Sequence, residues 1–168
     1  MTDPDPVDRL VEQWRRERPD LDLDAMATVA RLGRLSALAG PLVEACLAGH
    51  GLSVGEFDVL AALRRSGAPF RLTPTVLART LMLSAAAMTN RLDRLESAGL
   101  VTRALDPGNR RSILVTLTPA GRERVDAAVT DHVANEERLL ASLNAAQRRT
   151  LDELLRTLLA GIEALAPG

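Results

Sequence analysis

The chain has 168 residues, of which 46% are hydrophobic and 26% charged, and it carries a formal net charge of −1. This length suits one domain with its own core, or a recognition module joined to an association module. A single cysteine excludes a disulfide framework and a multi-cysteine zinc site, and no apolar run reaches the roughly 18 residues that span a bilayer.

Two amphipathic helices are predicted at the N-terminal end of the chain. The first occupies residues 6–18 and ends there because Pro19 disfavours helical backbone before it. Its apolar residues recur at helical spacing, at Val7, Leu10, Val11 and Trp14. The second occupies residues 24–50, and the pair Gly40-Pro41 in its middle predicts a kink or a break.

Three further helices follow, and each begins with a capping residue. The third helix begins at Ser53, where Glu56 three residues later completes a capping box. The fourth is short and begins at Thr73, which precedes a proline at the first helical position. The fifth occupies residues 84–98, because Gly99 supplies the left-handed residue that commonly ends a helix.

The hydrophobic period then changes from helical to extended. Residues 100–105 and 112–117 contain β-branched side chains and predict two strands, and the turn-rich segment 106–111 predicts a basic tip between them. Two long helices follow, one over residues 118–141 and one capped by Asn144. The last helix carries a wide apolar stripe, formed by Leu151, Leu154, Leu155, Leu158, Leu159 and Ile162.

The fifth helix has the two faces expected of a helix that reads DNA. At about 100° per residue, Met88, Leu92 and Leu95 fall in one narrow sector that we expect to pack on the domain. The opposite side is small or polar, so it can enter the major groove and offer donors and acceptors to bases and phosphates. We predict DNA contacts on this helix from Ser84, Ala86, Ala87, Thr89, Asn90 and Arg94.

The charge distribution favours a nucleic-acid partner although the net charge is slightly negative. Residues 64–124 contain eleven arginines and four acidic residues, a local charge of +7, which leaves −8 for the rest of the chain. At the hairpin tip we expect Arg110 and Arg111 to probe the minor groove or its phosphates, and Asp106 to hold one guanidinium in place. The alternative is a solvated charged face.

Together these elements predict a mainly α fold with a small β-hairpin, in which a winged helix-turn-helix domain occupies residues 53–118. The terminal segments 1–52 and 119–168 hold more apolar surface than one such domain can cover. We expect them to form a homodimer, with residues 1–52 also walling a ligand pocket. A two-fold dimer would bind a pseudo-palindromic double-stranded DNA operator. The alternative is a monomer whose terminal helices pack only on their own domain.

The chain resembles the MarR family, the multiple antibiotic resistance regulators. The resemblance rests on LTPTVLAR, TNRLDRLESAGLV and DPGNRRS within residues 72–117, and on LTPAGR at residues 117–122. It implies a transcription regulator that forms a triangular dimer, with its recognition helices in successive major grooves and its wings in the minor groove.

A finer resemblance is to the urate-responsive members of that family. They carry an extra N-terminal helix with a tryptophan, as at Trp14 here, and the charged positions that correspond to Asp58, Arg91 and Arg103. This implies a repressor released from DNA by a small anionic effector, urate or a related purine, which stacks on the tryptophan and pairs with the two arginines. The alternatives are a different phenolic or aromatic ligand, or a structural ion-pair cluster of the three charged residues, with the tryptophan anchoring the dimer.

Two other functions are weighed on the remaining residues. A redox sensor would use Cys46, which has His50 four residues on, but we expect a buried and inert cysteine. Only two histidines are present, with no glycine-rich phosphate loop and no metal-ligand cluster, so we predict neither an enzyme nor a cofactor. The N-terminus has no apolar segment after a basic start, so we expect a cytoplasmic protein with no membrane partner.

Overall fold

The computed structural model describes residues 3–165 of the chain, apart from the side chain of Arg110. The helices of this part are α1 (Pro6–Glu17), α2 (Asp24–Ala48), α3 (Val54–Arg65), α4 (Pro74–Thr80), α5 (Ala85–Ser97), α6 (Pro119–Leu139) and α7 (Ala145–Leu165). The strands are β1 (Arg71–Leu72), β2 (Val101–Asp106) and β3 (Asn109–Leu117). Within residues 3–165, no helix has the length and apolar character needed to cross a membrane.

The order of elements is that of a winged helix-turn-helix domain between terminal helices, as the sequence predicted. α3, α4 and α5 pack around one core, and the β2–β3 hairpin follows α5 as the wing. α3 lies at the centre of this core, where six of its twelve residues are buried. The mainly helical fold with a small sheet is therefore confirmed.

α1 is tied to α2 by charge as well as by a small apolar cluster. The cluster consists of Val7, Val11 and Leu23. Arg31 of α2 pairs with Asp8 and with Asp5, the latter at 2.8 Å from Nε to Oδ2. The hydrogen bond from Arg31 is the main cause that lowers the pKa of Asp5 from 3.8 to about 2. Because a lowered carboxyl pKa stabilises the folded state above its unfolded value, this contribution is lost only as the pH falls from near 4 through about 2.

α2 continues through Pro41, so of the two outcomes predicted for Gly40-Pro41 the break is wrong, and the kink stays a prediction. A proline inside a helix removes one backbone donor and crowds the preceding turn, but packing of α2 on the domain and on α6 offsets that cost. Leu47 is fully buried after the proline, and Val43 packs against the same core. The buried Asn135 of α6 donates from Nδ2 to the carbonyl of Leu42 at 3.4 Å. Tertiary contacts of the residues that follow the proline therefore hold the second half of the helix in place.

The predicted helix caps are confirmed. Ser53 and Glu56 form the reciprocal capping box of α3, with Ser53 N donating to Glu56 Oε2 at 2.8 Å. The side chains of Thr73, Ser84 and Asn144 likewise accept backbone hydrogen bonds in the first turns of α4, α5 and α7. At the other end of α5, Gly99 has a φ of 69°, the left-handed conformation that was expected. These local interactions set the ends of the helices.

The sheet differs from the expectation in two ways. It has three strands in the order β1-β3-β2, and the short β1 was not predicted. The wing is also longer than expected, because β3 begins at Asn109 and leaves only Pro107 and Gly108 between the strands. Arg111 therefore lies in a strand, whereas the sequence placed it in an open turn. A register irregularity follows Leu105, where the hairpin accommodates the extra residues of β3.

α6 enters the domain through a close backbone contact at Gly121. Thr118 caps the helix by accepting from Gly121 N at 2.9 Å, while its hydroxyl donates to the carbonyl of Gly99 at 2.8 Å. A Cβ added at Gly121 would lie 2.0 Å from the carbonyl oxygen of Leu100. Backbone atoms on both sides of this contact leave no side chain that could move aside, so the position requires glycine.

We expect Gly121→Ala to destabilise the protein by about 2 kcal/mol or more, because the added methyl group forces the start of α6 away from β2. The control is Gly33→Ala in α2, where an added Cβ meets nothing within 4 Å. That change should stabilise the protein by roughly 0.5–1 kcal/mol through helix propensity. Equilibrium urea unfolding at equal protein concentration measures both. A Gly121→Ala protein as stable as the wild type would contradict this close packing of α6.

Candidate nucleic-acid interface

α5 is held in the domain along one sector of its surface. Met88, Leu92 and Leu95 are each 1% exposed, as their helical spacing predicted. The side chains predicted to contact DNA lie on the rest of the helix surface: Ser84, Ala86, Thr89, Asn90 and Arg94 are exposed, and Ala87 is partly buried. The buried sector therefore fixes which side of α5 meets a partner.

The exposed side of α5 offers unpaired polar groups. Asn90 and Arg94 make no side-chain hydrogen bond or ion pair with another described residue. The hydroxyl of Thr89 donates to the carbonyl of Ala85 at 3.0 Å, which leaves its oxygen as an acceptor. Amide, guanidinium and hydroxyl groups on a narrow helix are the groups that pair with base edges and phosphates in the major groove.

Asp106 closes the turn at the wing tip, where its Oδ1 accepts from Gly108 N at 2.9 Å. It makes no ion pair with the described side chain of Arg111. Its second oxygen stays free to hold a guanidinium, and the predicted pairing stays a prediction for Arg110. Arg111 is exposed on β3, and its backbone N donates to Asn109 Oδ1 at 3.2 Å. The predicted contact from the Arg110 side chain lies outside the described part of the chain.

The base of the wing is joined to α5 by Arg103. Its Nε and Nη2 donate to Glu96 Oε2 at 2.8 and 2.6 Å, and its backbone N donates to Glu96 Oε1 at 2.9 Å. Nη2 also lies 2.7 Å from Asp93 Oδ1. The hydrogen bond from Arg103 lowers the pKa of Glu96, and the same bond raises the pKa of Arg103. The guanidinium predicted to contact a ligand is therefore paired with two carboxylates of α5.

Arg91 lies in a cleft between α5 and the start of α3. The cleft has a volume of about 480 Å³ and is lined by Glu44, Ala48, Leu52, Ser53, Val54, Gly55, Glu56, Arg91 and Arg94. Arg91 is partly buried, and its Nη1 donates to the carbonyl of Gly55 at 3.4 Å. A Cβ added at Gly55 would lie 2.5 Å from Arg91 Cζ, so glycine at this position lets the guanidinium lie against α3.

The other predicted ligand residues lie elsewhere. Burial raises the pKa of Asp58 on α3, and the nearby charges of Arg91 and Arg65 partly offset this rise. Trp14 lies on α1 and is 45% exposed. Neither Trp14 nor Asp58 lines the cleft beside Arg91. The single chain thus brings Asp58 and Arg91 into electrostatic range of each other, but it does not place Trp14 or Asp58 in the cleft of Arg91. Among the described residues, no ion pair joins Asp58, Arg91 and Arg103 into the alternative cluster, since Arg103 pairs with Asp93 and Glu96.

The thiol at Cys46 is partly buried on α2. The nearby His50 is engaged with α6, since its Nε2 lies 2.9 Å from Asp131 Oδ2. Among the described residues, no hydrogen bond joins the His50 ring to the Cys46 thiol. The thiol is partly buried and not fully buried as expected, and its inertness stays a prediction.

Sequence reasoning did not identify the partners of Arg103 or the role of Gly55. Asp93 and Glu96 are three residues apart on α5, so they share a face, and acidic groups on a helix that meets DNA need a neutralising partner. That requirement could have predicted a basic partner for Asp93 and Glu96 from the sequence. No sequence pattern predicts the close approach of Arg91 to Gly55, because it depends on where α5 crosses α3.

Comparison with known proteins identifies the family. The profile of the MarR family matches residues 50–112. Over 149 residues, 89% of this chain and 90% of the relative, the chain is 39% identical to the HTH-type transcriptional regulator PecS of Dickeya dadantii. The chain belongs to the MarR family.

Solved MarR-family structures resemble this fold over most of the chain. The Mycobacterium tuberculosis MarR family protein Rv2887 in complex with DNA is 34% identical, with a TM-score of 0.64, and the match covers 77% of this chain and 94% of that one. The Bordetella bronchiseptica protein BpsR, whose DNA binding is regulated by 6-hydroxynicotinic acid, is 27% identical, with a TM-score of 0.68 and coverage of 77% and 90%. This chain is accordingly a DNA-binding transcription regulator of the MarR family.

We expect Asn90→Ala and Arg94→Ala each to weaken specific DNA binding by about tenfold to a hundredfold, the range expected when one bidentate pairing with a base is removed. The probe is a duplex that the wild-type protein selects from a randomised library, and binding is measured by fluorescence anisotropy at fixed salt. Arg156→Ala on α7, which removes an exposed arginine paired with Asp152, serves as the control and should bind normally. Unaltered specific binding by both α5 variants would contradict the assignment of this face.

Proposed function

We propose that the protein is a homodimeric repressor that leaves its operator when a small, flat aromatic anion, urate or a related purine, binds beside the recognition helix. The observation that carries the proposal is the position of Arg91. It is a partly buried arginine of α5, it lies in a cleft, and it makes no ion pair with any described carboxylate.

The DNA-binding half of the proposal uses the exposed side of α5 and the wing together. We assign base and phosphate contacts in the major groove to Ser84, Ala86, Ala87, Thr89, Asn90 and Arg94, and contacts in the minor groove to Arg110 and Arg111. Asp106 supports them by closing the wing turn on Gly108. The groups left unpaired on α5 support this division, because side chains without a partner in the protein are available to base edges, which carry the sequence information.

The dimer is inferred from apolar surface that the single chain leaves uncovered. No residue of α7 is buried, although this helix is 21 residues and therefore about 31 Å long. An apolar groove is lined by Leu35, Leu38 and Leu42 of α2, by Leu139 at the end of α6 and by Leu140, which follows it. Exposed apolar surface on this scale marks a protein interface, and we infer that a second copy covers it. The two-fold dimer would place two α5 helices on half-sites about one turn of DNA apart.

The ligand half of the proposal rests on charge and size. A cleft of about 480 Å³ is within the range of small-molecule sites. The cleft is lined by the guanidinium groups of Arg91 and Arg94, by the carboxylates of Glu44 and Glu56, and by apolar Leu52 and Val54. Glu56 is already engaged as the capping partner of Ser53. A planar guanidinium pairs well with the carboxylate or ring oxygens of a flat aromatic acid. The ligand that regulates BpsR is an aromatic acid of this kind.

Trp14, Asp58 and Arg103 stay predictions as ligand contacts. Arg103 would reach an anion only by leaving Asp93 or Glu96, and Trp14 only through movement of α1 or through the dimer. We therefore make Arg91 the anchor of the proposed site. Because Arg91 and Asn90 are neighbours on α5, a ligand that draws the guanidinium toward α3 acts directly on the helix that reads DNA, which gives the two sites a physical coupling.

A redox sensor is the second function that the sequence left open. Within the described residues Cys46 is the single thiol, and it lies on α2. His50 Nε2 pairs with Asp131 of α6, and no hydrogen bond among the described residues joins His50 to this thiol. We prefer the ligand-responsive function because Arg91 lies in a cleft.

We expect urate to stabilise the wild-type protein against heat and to release it from its selected duplex, and we expect Arg91→Ala to abolish both effects. Gly55→Ala is the sharper variant, because its methyl group displaces the guanidinium from the cleft while leaving its charge on α5. It should lose the response to urate and keep DNA affinity within about threefold, a change of under 1 kcal/mol. Arg34→Ala, an exposed arginine of α2, is the control and should respond normally.

The titration is run in parallel with 6-hydroxynicotinate. A response to this acid and none to urate would keep the site and reject the purine. No response to either would end the effector proposal and leave the DNA-binding function untouched.

We expect the double variant Leu155→Asp, Leu159→Asp to convert the protein from a dimer to a monomer, since two carboxylates would lie in the apolar interface. The mass measured by sedimentation equilibrium should fall to the 18.0 kDa of one chain. Arg156→Ala, between these positions on the same helix, should remain dimeric. A double variant that keeps twice the chain mass would place the dimer interface elsewhere.

A further inference from the structure

The wing and the recognition helix share one polar connection. Among the described side chains, the only hydrogen bonds and ion pairs between residues 101–117 and α5 are those that Arg103 makes with Glu96 and Asp93. Nε, Nη2 and the backbone N of Arg103 all bind the Glu96 carboxylate, and Nη2 also pairs with Asp93. This arrangement fixes both the position and the direction of the strand that carries Arg103.

The connection lies where the core support of the wing ends. Arg103 faces Val115 across the hairpin, and Val115 is fully buried, as is Val101 two residues closer to the core on the strand of Arg103. Two residues outward from Arg103, Leu105 and Ile113 face each other and are 64% and 44% exposed. Beyond Arg103, no described residue of the hairpin belongs to the apolar core of the domain.

Because the wing projects from the domain beyond Arg103, a small change of angle at its base displaces its tip. About four residues separate Arg103 from the turn, a length of roughly 13 Å at the rise of a strand. A tilt of about 10° at the base would therefore displace the tip by roughly 2 Å, more than a hydrogen bond to DNA tolerates. Contacts in two neighbouring grooves thus require a fixed angle between hairpin and helix.

We propose that Arg103 is a positioning residue for DNA binding: by holding Glu96 and Asp93 it fixes the wing relative to α5, so that helix and hairpin engage adjacent grooves together. Arg103 does not itself touch DNA in this role. The role stands on the DNA-binding function of the family and is independent of the proposed effector.

A competing explanation is that Arg103 supports DNA binding only by neutralising Asp93 and Glu96. Variants can distinguish this explanation from a positioning role. Asp93 and Glu96 would repel phosphates if Arg103 were removed. We therefore compare Arg103→Gln with the triple variant Asp93→Asn, Glu96→Gln, Arg103→Gln, which removes the connection and all three charges at once. Arg103→Lys keeps the charge but replaces the planar fork by a single ammonium group.

The experiment measures affinity for the selected duplex across a salt series, together with two footprints. Hydroxyl radicals report protection of the minor groove by the wing, and dimethyl sulfate reports protection of guanine N7 in the major groove by α5. For Arg103→Gln we expect affinity to fall by about tenfold or more, and the salt slope to shrink by about 0.9 for each phosphate that the wing no longer neutralises. Protection under the wing should disappear while protection under α5 persists, and the Tm should change little.

The triple variant should show the same losses as Arg103→Gln, and Arg103→Lys should be intermediate. Arg64→Gln, which breaks a similar exposed pair with Asp126 in the same domain, is the matched control and should bind as the wild type does. Wild-type binding by the triple variant would overturn the proposal in favour of charge neutralisation. Loss of both footprints with a lowered Tm would also overturn it, by showing a general structural role. If Arg103→Gln fails to fold, Arg103→Lys decides, and an unchanged wing footprint in that variant would overturn the proposal.

Discussion

The packing of one sector of α5 against α3 is the interaction on which the DNA-binding surface depends. Met88, Leu92 and Leu95 are almost completely buried, and burying side chains of this size contributes on the order of 2 kcal/mol each. Rotation of α5 about its axis would expose them, so the rotation is set by the core and not by the partner. Because the helix cannot turn, Thr89, Asn90 and Arg94 stay on the outer side whether or not DNA is present.

This rigid packing also keeps two acidic side chains of α5 near the DNA-binding surface, where an arginine at the base of the wing pairs with them. α5 carries two acidic residues, Asp93 and Glu96, close to the surface that meets a polyanion. Both bind Arg103, and the resulting group has one positive and two negative charges in contact. The same arginine that offsets the carboxylates also sets the wing angle, so charge and geometry cannot be separated by inspecting the contacts alone. They separate only when all three charges are removed together.

The parts of the fold that depend on neighbouring residues in the chain were predictable from the sequence. The capping box at Ser53 and Glu56, the cap at Ser84 and the left-handed Gly99 are local interactions with recognisable residue types. β1 was not predictable, since two residues carry no periodicity and become a strand only by pairing with β3. The continuity of α2 through Pro41 was missed for a related reason: contacts from α6 outweigh the local preference.

The same distinction holds for the candidate site. Helical spacing correctly separated the buried sector of α5 from its exposed side, because both belong to one helix. It could not predict what the guanidinium groups of Arg91 and Arg103 contact. Arg91 lies at the border of the buried sector of α5, Arg103 lies on β2, and both side chains are long enough to reach several partners. Arg103 has two carboxylates within reach, and Arg91 has a glycine that lets it lie on α3. The residue types pointed to anion binding at both positions, and only the tertiary contacts distinguished a paired arginine from an unpaired one.

The contrast between these two arginines bears on how an effector would act in the proposed function. Arg103 is already satisfied, so an incoming anion would have to compete with two carboxylates for it. Arg91 makes no ion pair with a described carboxylate, although Asp58 lies in electrostatic range. Its contact with Gly55 lies on α3, whose buried residues form the centre of the core. A ligand held between Arg91 and α3 would therefore pull α5 against a fixed body. Since the wing is tied to α5 through Glu96 and Asp93, a small shift of the helix would be carried to the hairpin, and both groove contacts would change together.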